Sequence, residues 1–305
     1  MTGGERFRRC WVVGAGVMGS ALAAELHRQG GAEVHLVGQS LHLRRVRQEG
    51  LWVEFPGREP QLLRLRTELP GEVPRLSGED LVILAVKATA LAETASWLRE
   101  RLSPRAGVLA LQNGMGVRKL LAELLGRPAA RGLFFMGALG VWPGRVRVFP
   151  GRGIRLAPSR EGQALCAWLQ GSGLQCRLEE DFTAVLWRKL AINCVANPLA
   201  GLLDCGNRHL VRPVLDPAKD AILEEVRRVA RAHGVELDLD AAAFNSLVTP
   251  DNTPSLRIDL LRGKPTEIDF LNGAVVRLGD ELGLATPVNQ ALVSLVRFLE
   301  GGAGE

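Results

Sequence analysis

Lys189, Asn193 and Asn197 stand four residues apart in the run Trp187-Arg-Lys-Leu-Ala-Ile-Asn-Cys-Val-Ala-Asn-Pro198. On an α-helix each step of four drifts by only about 40°, so an ammonium and two carboxamides share one face. Val185, Leu186, Leu190 and Ile192 supply apolar cover around that face. Such an ammonium can give a proton to an oxygen that gains charge, and the amides can hold a carboxylate or carbonyl beside it. Asn is a mediocre helix former and costly to bury unpaired, so the stripe calls for a ligand or for a helix-packing network. A second cluster follows in Asn252-Thr-Pro-Ser255 and Lys264-Pro-Thr-Glu267-Ile-Asp269-Phe270. Here Thr266 is expected to cap one helix running to about Gly283, which puts Glu267 in its first turn, where a carboxylate suits the helix dipole.

A different chemistry is written near the start. Gly14-Ala15-Gly16-Val17-Met18-Gly19 directly follows an apolar strand and opens a helix. In that context the three glycines allow a tight turn, close approach of a pyrophosphate and close packing of helix on strand, which is the form of a dinucleotide site. The next strand ends in Val37-Gly38-Gln39-Ser40 without the acid that usually takes the ribose diol of NAD. Arg44 and Arg45 lie within reach of a 2′-phosphate, which favours NADP and leaves NAD open. Lys87 and Gln112-Asn113-Gly114 each follow a further strand, at the sheet edge where ligands of such folds gather.

These residues need scaffolding of two kinds. Up to about Arg177, strand-like runs at Cys10–Val13, Glu33–Val37, Leu81–Val86, Val108–Leu111 and Leu133–Met136 alternate with helical stretches at Ser20–Gln29, Leu91–Leu102 and Val117–Leu125. Leu51–Phe55 and Leu62–Leu65 read as a hairpin, and Val141–Phe149 and Ile154–Leu156 as antiparallel edge pieces. Beyond this point only helical signals recur: Asp216-Pro217 opens a helix that Gly234 closes, and Thr286-Pro287 opens a last one that Gly301 ends. The expected architecture is an α/β dinucleotide-binding domain over residues 1–177 and an all-helical, substrate-binding domain over 178–305.

Composition narrows the function classes. Thirty-eight Lys and Arg against 33 Asp and Glu give a net charge of +5 over 305 residues, spread without the blocks of a nucleic-acid arm. Five scattered cysteines with no C-x-x-C argue against a disulfide framework or a zinc site, and His27, His35, His42, His209 and His233 have no ligand spacing, so no metal is expected. No uncharged apolar run is long enough for a membrane span. Arg6, Arg8 and Arg9 before the uncharged stretch 10–24 mimic a secretory signal, but the glycines there suit the dinucleotide turn better. The expected setting is the cytoplasm. The expected partners are a small anionic molecule and, at most, a second copy of the chain as a homodimer, with no nucleic acid and no membrane.

Four stretches, G-A-G-V-M-G at 14–19, L-Q-N-G-M-G at 111–116, W-R-K-L-A-I-N-C-V-A-N-P at 187–198 and P-T-E-I-D-F-L-N-G at 265–273, together resemble the ketopantoate reductase (2-dehydropantoate 2-reductase) family over nearly the whole chain. The resemblance implies a Rossmann-type domain followed by an all-α domain like that of 6-phosphogluconate dehydrogenase. It implies reduction of ketopantoate to pantoate with NADPH in pantothenate biosynthesis. Lys189 would then be the general acid and Glu267 the contact to the substrate hydroxyl, with Asn193, Asn197, Asn207, Asn252 and Ser255 binding substrate. The glycine loop with Ala15, Val17 and Met18, together with Lys87 and Asn113, would hold the cofactor, Asn113 also reaching the substrate. Two positions depart from the family: Gln39 stands where NADP-choosing members commonly carry Arg, and Ala90 where a polar residue is common. The competing readings are an NAD-dependent 2-hydroxyacid dehydrogenase acting on another branched 2-oxo acid, and a non-catalytic nicotinamide-binding redox sensor.

Overall fold

The computed structural model describes residues 7–30, 32–250 and 252–301. Runs of buried apolar residues make β1 (Arg9–Val13) and β2 (Glu33–Val37), joined by α1 (Val17–Gln29). Next come α2 (Leu41–Glu49), the antiparallel pair β3 (Leu51–Glu54) and β4 (Gln61–Leu63), and β5 (Arg66–Glu68). They are followed by β6 (Asp80–Leu84), α3 (Leu91–Arg99), β7 (Gly107–Ala110), α4 (Val117–Leu125), β8 (Ala130–Trp142), β9 (Arg145–Leu156), α5 (Arg160–Gly171) and β10 (Cys176–Leu178). Among the described residues these strands form one sheet in the order β4-β3-β9-β8-β7-β6-β1-β2-β5, with β10 on β9. The stretch β5-β2-β1-β6-β7-β8 is parallel throughout. Its order reverses between β1 and β6, the switch point of a Rossmann-type sheet.

The helical part comprises α6 (Phe182–Leu202), α7 (Asn207–Leu210), α8 (Asp216–Ala232), α9 (Ala241–Leu247), α10 (Ser255–Leu261), α11 (Asn272–Glu281) and α12 (Pro287–Glu300). Contacts divide the chain into two compact units, with the break in the main chain between Phe182 and Thr183. The short loop Asn113–Gly116 belongs to the helical unit although it follows β7 directly.

Three sequence expectations change. Val141–Phe149 is not one strand at an edge: it contains the turn from β8 to β9 at Gly144 (φ +87°), and both strands lie inside the sheet order. Pro143-Gly144 is the turn signal that a run of apolar neighbours masked. The single helix expected from Thr266 to Gly283 is split: Thr266 Oγ1 accepts from the Ile268 amide at 3.2 Å to start a short 3₁₀ turn, Ile268–Phe270, and α11 begins only at Asn272. The helices α2 and α5 and the short strands β5 and β10 were not anticipated.

The core of the helical unit is built on α6. Trp187, Leu190, Cys194 and Val195 pack with Leu223, Val226 and Val229 of α8, Phe244 of α9 and Val275 of α11. A helix with apolar residues on nearly every face belongs in a core. Yet this one carries Pro198 in its interior. Pro198 has no N–H to give the carbonyl of Cys194 one turn earlier, which leaves a buried acceptor open. Asn272 closes that gap: its Nδ2 donates to the Cys194 carbonyl at 3.0 Å and to Asn289 Oδ1 at 2.9 Å. Asn289 Nδ2 in turn donates to Glu225 at 2.7 Å, and the same carboxylate accepts the amides of Val288 and Asn289, capping α12 from α8.

In the sheet unit, His42 ties α2 to two other segments. Its Nδ1 accepts from the Gly144 amide at 3.1 Å, so Nε2 carries the proton and donates to Ser20 Oγ at 3.0 Å. Burial pushes the pKa of this imidazole below its ordinary value of 6.5, and a proton on Nδ1 would face the Gly144 N–H directly.

Two outcomes test this account. A histidine that resists protonation in the native state loses stability as pH falls below about 6.5, where the unfolded chain gains the proton, and the loss levels off below its native pKa. The melting temperature should therefore drop on acidification from about pH 7.5 to 5.5, and His42→Gln should flatten that slope while lowering stability at the upper pH. A slope unchanged in the variant would assign the effect to other groups. In urea titration Asn272→Ala should cost about 1–3 kcal/mol, the usual penalty for stranding buried polar groups. Adding Pro198→Ala, which restores an N–H to Cys194, should recover part of that loss; an equal loss in both backgrounds would show that the Cys194 carbonyl is not what Asn272 serves.

Candidate active site

In the sheet unit the glycine turn has the geometry its spacing predicts. Gly14 sits at φ +119°, where a Cβ would stand 2.4 Å from the Val86 nitrogen, and a Cβ at Gly19 would lie 2.0 Å from the Gly14 carbonyl oxygen. The two fix how closely α1 and β6 approach β1. Gly16 is different: a Cβ there meets nothing within 4 Å. Gly16 is also the N-cap of α1, with no side-chain cap and no acid in the first turn, so the positive helix end is left for an anion. Ala15 is buried, and Val17 and Met18 are half-buried at the helix start.

Other predicted groups line up along the same strand ends. Lys87 is the N-cap of the 3₁₀ turn Ala88–Ala90 just after β6. Gln112, 3% exposed, follows β7 and donates from Nε2 to the carbonyls of Leu84 and Val86 at 2.8 and 3.0 Å. Its Oε1 is buried without a partner among the described residues. Arg131 of β8, not singled out from the sequence, donates to the carbonyls of Ala110 at 3.2 Å, Gly132 at 2.6 Å and Gln112. A charged residue inside a strand of buried neighbours was its only signal.

Beyond β2, a cavity of about 570 Å³ is lined by Gln39, Leu43, Arg44, Arg47, Leu69 and Glu72 among others. Of the two arginines singled out from the sequence, Arg44 lines this cavity, whereas Arg45 forms an ion pair with Glu49 one turn on. The open face at Gly16, the unpaired Gln112 oxygen and this cavity beside β2 together suit a dinucleotide.

The helical unit assembles the second group. Lys189 and Asn193 are half-buried on successive turns of α6, and Asn197 is buried one turn further. Asn193 makes no side-chain hydrogen bond among the described residues. Asn197 Oδ1 accepts from the Leu256 amide at 3.2 Å and from Ser255 Oγ at 3.3 Å, so it caps α10 from another helix and brings Asn197 and Ser255 together. Asn207 is buried at the start of α7, where its Nδ2 donates to the Thr249 carbonyl at 3.0 Å and its amide to the Asn252 carbonyl at 3.2 Å. Its Oδ1 is buried without a partner among the described residues. Asn252 itself is exposed.

Glu267 is 8% exposed and is not in the first turn of a helix, as its spacing suggested, but stands at the N-cap position of the 3₁₀ turn Ile268–Phe270 without a side-chain cap bond. Asn113 Nδ2 donates to Glu267 Oε2 at 3.3 Å. The loop that carries Asn113 is seated on this turn: the Met115 amide donates to the Phe270 carbonyl at 3.0 Å, and Gly114, at φ +83°, brings its backbone so near that a Cβ would lie 2.1 Å from the Phe270 oxygen. A carboxylate, a carboxamide and an ammonium-bearing helix in one unit provide a hydrogen-bond acceptor, an orienting amide and a proton donor. Among the described residues no group of three or more His, Cys, Asp or Glu can hold a metal, and no helix is long and apolar enough to cross a membrane.

Comparison with known proteins bears on both parts. The family model described as "Ketopantoate reductase PanE/ApbA" matches residues 10–160, and "Ketopantoate reductase PanE/ApbA C terminal" matches 181–300. The 2-dehydropantoate 2-reductase of Vibrio cholerae is 30% identical over 304 residues, covering 95% of this chain and 97% of its own. Among solved structures, a PanE/ApbA family ketopantoate reductase from Ralstonia eutropha superposes with a TM-score of 0.86 at 31% identity, covering 97% of this chain and 99% of its own. A D-mandelate dehydrogenase solved with NADH and anilino(oxo)acetate superposes with a TM-score of 0.88 at 28% identity, covering 97% and 100%.

Proposed function

The chain belongs to the ketopantoate reductase family and is an oxidoreductase of Rossmann-type fold, and from that premise we propose that it reduces 2-dehydropantoate to pantoate with NADPH, in the cytoplasm. The observation that carries the site assignment is Glu267 paired with Asn113, 154 residues away, in the unit that also presents Lys189. In this reading residues 1–177 bind the dinucleotide and 178–305 supply the substrate and proton groups.

A reduced nicotinamide held by the start of α1 and Lys87 would supply a hydride to the ketone carbon. Charge then develops on the ketone oxygen, and Lys189 stabilises it and donates a proton from Nζ, giving the alcohol. Glu267 accepts the hydrogen bond of the substrate hydroxyl, and Asn113 holds that carboxylate in place. Asn193 offers an unengaged amide to the substrate, while Asn197 and Ser255 act as a joined pair, the amide oxygen already committed to α10. Asn207 and Asn252 complete the substrate side. On the cofactor side the α1 start at Gly14 to Gly19 takes the pyrophosphate, with Ala15, Val17 and Met18 shaping the turn, Lys87 and Asn113 contacting the dinucleotide, and Arg44 its 2′-phosphate.

A specific observation favours a second reading. The D-mandelate dehydrogenase neighbour was solved with NADH, and Gln39 gives no charge to a 2′-phosphate, so an NAD-dependent reduction of another branched 2-oxo acid is the competing assignment. Following NADPH and NADH absorbance with ketopantoate and with simple branched 2-oxo acids separates the two. Preference for ketopantoate with NADPH is expected; faster turnover of another acid with NADH would replace the first reading by the second.

Lys189→Ala should lower kcat by about two or more orders of magnitude, the scale of lost acid catalysis, with the dissociation constant for NADPH little changed. Near-normal turnover would remove Lys189 from the chemistry. Glu267→Gln should act mainly on KM, raising it about tenfold for the hydroxylated substrate and much less for an analogue without the hydroxyl. An equal effect on both substrates would return Glu267 to a purely structural role.

A further inference from the structure

The cavity beyond β2 is lined by three charged side chains, Arg44, Arg47 and Glu72. In a Rossmann-type sheet the group at the end of the second strand reads the ribose 2′ position, an acid binding the free hydroxyl and a cation the phosphate. Gln39, which follows Gly38 there, does neither as a charge. The location is nonetheless the right one: a Cβ at Gly38 would lie 2.8 Å from Ala15 Cβ in the glycine turn, and Ser40 Oγ donates to the Ala15 carbonyl at 3.1 Å. The charges that face this position stand further round the wall. Arg44 and Arg47 project from α2, and Glu72 faces them from the segment after β5.

These three are not equivalent. Glu72 is fixed from two sides, accepting from the Leu69 amide at 2.8 Å and from Arg47 Nη2 at 3.0 Å. Both contacts hold its carboxyl below the ordinary range, the Leu69 amide first and Arg47 second, so it is a charged group at neutral pH. Arg44 has no ion-pair partner among the described residues. The cavity thus carries one uncompensated cation, with a second held back by Glu72. A phosphate that draws on Arg47 must compete with a carboxylate already bound to it and is repelled by that carboxylate.

We propose that Glu72, through its hold on Arg47, sets how strongly this chain prefers a 2′-phosphorylated dinucleotide over one with a free 2′-hydroxyl. Arg44 supplies the basal attraction, and the Arg47–Glu72 pair limits it. The inference deepens the cofactor assignment above and rests on it only for the place where the dinucleotide binds. It concerns residues other than the strand-end position at which such selectivity is usually read.

The test is calorimetric titration of the full-length protein with 2′,5′-ADP and with 5′-AMP, which needs no turnover. Glu72→Gln keeps an oxygen for the Leu69 amide but removes the charge, and it should tighten 2′,5′-ADP by about fivefold while leaving 5′-AMP within about twofold, the scale of a half-exposed ion pair. Arg47→Gln, which leaves Glu72 unopposed, should weaken 2′,5′-ADP by at least as much. Circular dichroism and a melting curve on each variant establish that it is folded. A ratio of the two affinities that stays within twofold of the parent in both folded variants overturns the proposal. A parent protein that binds the two ligands equally would refute the NADPH reading; if Glu72→Gln still shifts the ratio toward 2′,5′-ADP, the role of Glu72 stands without it.

Discussion

A helix buried in the core of its unit has to find a partner for every polar group it carries inward, and α6 carries several. Its apolar residues make it the hub on which α8, α9 and α11 pack. Its Lys189, Asn193, Asn197 and Pro198 would each be a liability in that setting. The structure resolves the liabilities one at a time. Asn272 serves the carbonyl that Pro198 leaves open, and Asn197 is absorbed by the start of α10. Lys189 and Asn193 lie toward the half-buried end. The polar stripe therefore grades from half-buried groups at its N-terminal end to groups engaged in helix packing at its C-terminal end.

The same constraint explains why two parts of one motif do different work. In Pro265-Thr-Glu-Ile-Asp-Phe-Leu-Asn-Gly273, Thr266 starts the 3₁₀ turn, Glu267 meets Asn113, and Asn272 holds α6 and α12 together. A break at Leu271 between the 3₁₀ turn and α11 lets the two functions point in different directions. One continuous helix would have placed Glu267 and Asn272 on a fixed 100° screw. The irregular turn costs the chain some backbone regularity and gives Glu267 a buried, oriented position in exchange.

Legibility from sequence follows the range of the interactions. The parallel strands, the glycine turn and the long helices are local patterns, and β2, α4 and the start of α8 fall where periodicity and capping put them. The Lys189–Asn193–Asn197 stripe was visible for the same reason, because one helix sets its spacing. What was hidden depends on partners far along the chain. Nothing near Asn113 indicates Glu267, and nothing near Pro198 indicates Asn272. Arg131, which holds the Gln112 carbonyl, and Arg47, which pairs with Glu72, likewise have partners 19 and 25 residues away. Resemblance to a family supplied roles for single residues, but it did not say which of the amides were already engaged by the fold.

Engagement is what separates residues able to act on a ligand from those that only build its site. Burying an acceptor without a donor costs about 1–3 kcal/mol, and the fold carries several such acceptors, Asn272 Oδ1 in the helix-packing network among them. Gln112 Oε1 is one, on a side chain whose nitrogen already spans the ends of β6 and β7 at the edge where dinucleotides bind. Asn207 Oδ1 is another, on a side chain whose nitrogen is tied to the Thr249 carbonyl. In both, the donor end fixes the amide and the acceptor end is left over. An amide held in that way cannot rotate to satisfy itself, and it presents its oxygen at a defined place. Asn197 shows the opposite arrangement, with its oxygen consumed by α10. A ligand that brings an N–H or O–H donor to such an oxygen removes the penalty, and one without a donor leaves it in place.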